Sequence, residues 1–201
     1  MATYPDPAID RIYDLLFCDN PELFRGGSND YPWNVLLADE LNATHIEKVL
    51  DDDELETRPR IVAANLLRSL GKPVEDKQLF GVIVEVGLDE GLDTLAAYED
   101  GTARYINYTG KMIVWETRTV VSDELIVDLF AAARNVVAQI GPWDEARLNR
   151  PKTGNVRLSF LVSDGLYFGE GPFEVLAQDA IGGPVIAAAT KLMQFLVSPQ
   201  M

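Results

Sequence analysis

The sequence predicts an α+β fold: an antiparallel β-meander plus a second hairpin forming one sheet packed against two long helices, with a helical acidic N-terminal region. Three observations carry this prediction. From residue 79 onward, strand-length apolar runs are joined by short glycine turns. Two later stretches, 122–140 and 184–197, place apolar residues at helical spacing. Residues 1–60 hold 14 acidic and 5 basic side chains, most of the chain's net charge of −15.

The elements follow in order. Ile9, Ile12, Tyr13, Leu16 and Phe17 recur at helical spacing, with Asp6 as N-cap and Pro7 at the first helical position, so a helix is expected over 5–17. Asn20-Pro21 ends it, and 24–32 is a loop by composition. The short apolar stretch 33–37 has no secure assignment. Asn42 or Thr44 caps a short helix through Ile46, Val49 and Leu50. Thr57 caps the next, which runs to Leu70 on an apolar face of Ile61, Val62, Leu66 and Leu67, stopped by Gly71 and Pro73. Strands are expected over 79–88, 91–98, 102–108 and 111–116, with Asp100-Gly101 as a tight turn. Ser122 caps the longest helix, whose stripe runs from Leu125 and Ile126 to Val137 and Ile140 and stops at Gly141-Pro142. Strands 156–162 and 166–168 form the second hairpin, 173–176 is a short strand or a helical turn, and a helix over 184–197 closes the pattern.

The natural division is a helical, acidic region over 1–75 and a sheet-and-helix unit over 76–201, the two forming either separate units or one continuous domain. The element order of the second unit resembles that of profilin-like and roadblock-like domains, whose sheets are also antiparallel and backed by helices. The resemblance is one of topology and implies no function.

Composition narrows the function classes. With 201 residues and 47% hydrophobic content, the chain needs no disulfide or metal to build a core. Its single cysteine, Cys18, excludes an internal disulfide and points to a reducing compartment, the cytoplasm. The start has neither the basic nor the apolar segment of a secretory signal, and no apolar run approaches the roughly 20 residues that span a bilayer. A net charge of −15 repels phosphate backbones and anionic membranes, so neither nucleic acid nor membrane is an expected partner; a basic protein partner fits, and a homo-oligomer is compatible.

No motif specifies a reaction. The lone His45 lies in a short acidic helix with no nucleophile elbow around it, which reads as a surface or cap-adjacent histidine. Cys18 reads as a buried structural thiol, with nothing cationic beside it in sequence to activate it. One Cys and one His do not make a zinc site, and no cofactor signature is present. Asp51, Asp52, Asp53 and Glu54, with Glu56, form the densest charge run. They lack the spacing and glycine of a Ca²⁺ loop, so they read first as a solvated helix entry, and otherwise as a site for a metal or a basic partner. Glu85 and Glu116 sit inside apolar strands, where burial would raise a carboxyl pKa; the preferred reading is an outward position on an alternating strand. The glycines at 165, 169 and 171 do not follow the dinucleotide pattern, and Ile181-Gly182-Gly183-Pro184 reads as a helix entry. Arg147, Arg150, Lys152 and Arg157 form a basic loop expected to pair with the protein's own acidic face. Tyr31, Trp33 and Trp143 are loop aromatics, residues enriched at binding surfaces that also plug core ends.

These readings favour a non-catalytic protein-interaction module of inhibitor, immunity or adaptor type. The alternatives are a carboxylate-dependent hydrolase, metal-assisted or not, and a small-ligand sensor or dimerising module.

Overall fold

The sheet is built around its longest strand. In the computed structural model, which describes residues 3–72, 74 and 77–198, β1 (Leu79–Leu88) lies between β2 (Gly91–Tyr98) and β5 (Asn155–Val162). The sheet continues through β3 (Ala103–Ile106) to β4 (Met112–Trp115) on one side and to β6 (Gly165–Pro172) on the other. The order is β4-β3-β2-β1-β5-β6, antiparallel at every pairing. The α+β prediction is therefore met, meander and second hairpin included. The expected stop at Pro73, the regional boundary between 75 and 76, and the first two residues of the chain's start lie outside the described residues.

Ahead of the sheet come α1 (Pro7–Leu15), a 3₁₀ turn (Pro21–Phe24), α2 (Trp33–Leu36), α3 (Ala43–Leu50) and α4 (Thr57–Ser69). α5 (Val120–Val137) links β4 to β5; α6 (Phe173–Leu176) and α7 (Gly182–Val197) follow β6. Asp6 caps α1 through the Ala8 amide with Pro7 behind it, and Asn42 rather than Thr44 caps α3. Two expected caps are corrected. Thr119 caps α5, and Ser122 is its partner three residues on, each side chain accepting from the other's backbone N–H. Thr57 lies inside the first turn of α4 and is itself capped across the fold. Asp100 Oδ2 accepts from the Thr57 amide at 2.8 Å, and the Thr57 hydroxyl accepts from the Asp100 amide at 3.0 Å. Asp100 Oδ1 also accepts from Thr102, and Gly101 takes the positive φ (86°) that the turn between β2 and β3 requires. Burial alone would raise the Asp100 carboxyl, but the hydrogen bonds from Thr57 and Thr102 outweigh it and hold it below the ordinary aspartate range.

Two apolar layers sandwich the sheet. On one face, Val82, Val84, Leu95, Leu158 and Phe160 meet Ile126, Leu129, Phe130 and Ala133 of α5 and Val185, Ala189 and Leu192 of α7. This is the cover that the sequence predicts. The opposite face, to which the sequence reading assigns no cover, is closed by the N-terminal helices: Phe80, Ile83, Ala96, Tyr98 and Leu161 meet Tyr13, Phe17, Ile46, Val49, Val62 and Leu67. A bulge between Leu79 and Gly81 resets the strand alternation, so Leu79 and Val82 both reach the α5–α7 layer. Tyr4 fastens the start of the chain to the second face. Its ring is 1% exposed, and its hydroxyl lies 3.0 Å from both the Leu92 carbonyl and Thr94 Oγ1.

The segment between α5 and β5 crosses the end of β1. A Cβ at Gly87 would stand 2.2 Å from the Lys152 carbonyl oxygen, so only glycine admits this crossing, and the Gly154 amide donates to the Gly87 carbonyl at 2.8 Å. No helix among the described residues is long and apolar enough to cross a membrane.

Candidate functional site

The acidic run 51–56 forms the turn between α3 and α4. Asp52 Oδ1 accepts from the Glu54 amide and tightens the turn, and Asp52 Oδ2 accepts from the Tyr31 hydroxyl at 2.9 Å. The structure thus brings Tyr31 and the run together. Asp51 follows the C-terminal end of α3, where the helix dipole disfavours an anion, and Glu56 occupies the N-cap position of α4 without capping it through its side chain. The helix-entry reading therefore accounts for only part of the run.

Arg60 pins the turn to the sheet. It is 8% exposed, donates to the Leu50 carbonyl at 3.0 Å, pairs with Asp53 at 3.1 Å and lies 3.9 Å from Glu99. Around it open two clefts that share Asp53, Arg60 and Gln78. One, of about 790 Å³, takes Glu47, Asp51 and Asp53 into its wall. The other, of about 490 Å³, takes Asp53, Glu54, Glu56, Glu99 and Asp100. Seven carboxylates line this trough against three cations, Arg60, Lys72 and Arg118. Arg60, Gln78, Arg58, Thr57 and Thr102 engage Asp53, Glu99, Glu56 and Asp100. Glu47, Asp51 and Glu54 form no ion pair among the described residues.

Trp143 lies elsewhere. It stands at the rim of a third cleft, of about 480 Å³, formed by the end of α1, by α4 and by the β5–β6 hairpin. Its indole N–H donates to the Ala146 carbonyl at 3.1 Å and its ring meets Phe168 edge-on. Within the cleft, Arg147 stacks 3.9 Å from the Phe17 ring centroid and reaches Asp14 at 2.8 Å and Asp19 at 2.9 Å. Trp33 joins neither site; it stacks on Phe24 at the margin of the second core.

Between Tyr13 and Arg157 lies the charge that the sequence reading misplaces. Glu85 is wholly buried (0% exposed), not outward. On the central strand of a sheet covered on both faces there is no outward side. Glu85 Oε1 accepts from the Tyr13 hydroxyl at 2.6 Å; Oε2 lies 3.7 Å from Arg157 Nη1 and accepts no hydrogen bond among the described residues. Burial pushes this carboxyl above the ordinary glutamate range, against the opposing pull of Tyr13, Arg157 and Arg147. Burial and the Glu85 charge push the Tyr13 phenol up in turn. Arg157, 3% exposed, also donates to Glu170 at 2.7 and 2.9 Å and to the carbonyls of Leu148 and Asn149. Glu116, by contrast, is exposed and pairs with Arg104 at 2.8 Å.

The remaining sequence candidates find structural roles. Of the basic loop, Arg147 and Arg157 pair with the protein's own carboxylates as expected, whereas Arg150 and Lys152 form no ion pair among the described residues. His45 is exposed just past the cap of α3. Cys18 is buried, and burial pushes its thiol up to about 12. The entry of α7 is already satisfied, because Asp179 Oδ1 accepts from the amides of Ile181 and Gly182. Among the described residues no group of three or more His, Cys, Asp and Glu is placed to hold a metal ion.

No family model, curated protein or solved structure matches this chain.

Proposed function

We propose that this protein is a non-catalytic interaction module, of inhibitor, immunity or adaptor type, that captures a cationic protein segment in the trough around Arg60. The observation that carries the reading is the seven carboxylates that line two adjoining clefts, four of them (Glu47, Asp51, Glu54 and Asp100) without a cationic partner among the described residues. Such a field accelerates encounter with a basic surface and repels phosphate backbones and anionic lipids. The single buried thiol supports a reducing, cytoplasmic setting.

Carboxylate-dependent hydrolysis finds less support. An acid catalyst needs a raised carboxyl facing substrate. The glutamate held high here, Glu85, is sealed from the clefts just described.

The test is binding of a short Lys- and Arg-rich peptide, followed by calorimetry at low and high salt. Glu47→Gln, Asp51→Asn and Glu54→Gln together should weaken binding about tenfold or more at low salt while leaving the melting temperature unchanged, since each is exposed and outside any ion pair. Binding that strengthens with salt, or ignores the triple substitution, refutes the reading. Light scattering of the free chain distinguishes a homo-oligomer from a chain awaiting another partner.

A further inference from the structure

The geometry points to the cleft rimmed by Trp143 as a binding site for a small monocarboxylate with an apolar body, its carboxylate held by Arg68. The inference rests on a different part of the surface from the trough. In a chain with 32 acidic and 17 basic residues, arginines readily find carboxylates. Arg60, Arg147 and Arg157 each lie within ion-pair distance of two. Arg68, half-buried in the cleft wall, has none: among the described residues it is the one buried or half-buried arginine without such a partner.

The guanidinium is nevertheless fixed. Arg68 Nη1 donates to the Ser163 carbonyl at 3.1 Å and Nη2 to Asn65 Oδ1 at 2.9 Å, while Asn65 Nδ2 is anchored on the Cys18 carbonyl at 2.8 Å. A guanidinium carries about five N–H donors, so roughly three stay available to a ligand. A donor fork held in place before binding loses little entropy when it engages a carboxylate. Asp164 contributes a negative field at Arg68 but forms no ion pair with it, and its own Oδ2 accepts from the Tyr167 hydroxyl at 2.8 Å.

The rest of the cleft sets the ligand's character. Its volume of about 480 Å³ falls within the range of small-molecule sites. Phe17, Ile61, Leu161 and Leu166 give it an apolar wall. Asp14, Asp19 and Glu145 also line it, which disfavours a doubly charged phosphate and favours a single carboxylate. Asp14 and Asp19 are occupied by Arg147, whereas Glu145 forms no ion pair among the described residues, so an α-ammonium group on the ligand is tolerated. A simple acid and an amino acid share the recognised chemistry.

The experiment follows the Trp143 indole N–H resonance of the ¹⁵N-labelled full chain during titration with 3-phenylpropionate, L-phenylalanine and phenethylamine. The two carboxylates should shift it in saturable fashion and the amine should not. Tighter binding of L-phenylalanine than of 3-phenylpropionate identifies an amino acid as the preferred form; the reverse identifies a simple acid. Arg68→Gln should weaken both about tenfold or more, the effect of losing a charge-assisted pair. Ala146→Trp, a substitution at an exposed loop position that fills the cleft, should abolish binding in a folded protein whatever Arg68→Gln does to stability. The trough variants should bind these ligands as the native chain does. No shift from either carboxylate at millimolar concentration, equal binding of the amine, or undiminished binding by folded Arg68→Gln overturns the proposal.

Discussion

Replacing Arg157 by alanine should destabilise the protein by about 3–5 kcal/mol, because it strands buried charge. Glu85, wholly buried, would lose the cation 3.7 Å away, and Glu170 would lose both hydrogen bonds from the guanidinium. The carbonyls of Leu148 and Asn149 would lose donors as well, releasing the segment that crosses the end of β1. Arg157→Met keeps most of the apolar stem, so it separates packing from charge. Denaturant unfolding of the two variants should give nearly equal losses if charge dominates. A loss below about 1 kcal/mol for Arg157→Ala, the range of a surface pair, would show that the network contributes little.

The second large effect depends on pH. The folded state holds a proton on Glu85 to a higher pH than the unfolded chain does. The folded form therefore binds more protons between the ordinary glutamate range and this raised value. Stability from this group is complete below the ordinary range and is lost as pH rises through the raised one. Glu85→Gln retains an acceptor for Tyr13 and cannot ionise, so its stability profile should be flatter over that window. Tyr13→Phe removes the phenol that donates to Oε1 at 2.6 Å and should cost about 1.5–3 kcal/mol, the range of a hydrogen bond to a charged group, most at the alkaline end. Parallel profiles for native and Glu85→Gln protein would place the pH dependence elsewhere.

Glu85 also marks how far the sequence could be read. The run Leu-Phe-Gly-Val-Ile-Val-Glu-Val-Gly-Leu announces a strand and its boundaries, and β1 occupies 79–88 as expected. The same run is apolar on both of its faces, the mark of a strand covered twice, and a charge in such a strand has to find its partners inside. Those partners, Tyr13 and Arg157, lie 72 residues before and 72 after Glu85, a distance at which local periodicity carries no information. Caps behaved similarly. Asp6 and Asn42 are legible because they act on their own helices, whereas Asp100 caps α4 from a turn that follows β2. The acidic run is plain in composition, but its setting around Arg60 depends on how the α3–α4 turn meets Gln78 and Glu99. Arg68 carried no signal in sequence: on a helix with an apolar face it looks like an ordinary exposed charge until the hairpin at Ser163 is placed beside it.

Both surfaces exist only because the N-terminal helices form the second layer of the sheet. Amide hydrogen exchange across the chain tests this most directly. If α1, α3 and α4 are that layer, the amides of Ile46, Val49, Val62 and Leu67 should be protected to about the same free energy as those of Ile83 and Val84 at the centre of β1. Fast exchange across the four helical positions, with the strand amides still fully protected, would contradict the account and dissolve the walls of the trough and of the Trp143 cleft.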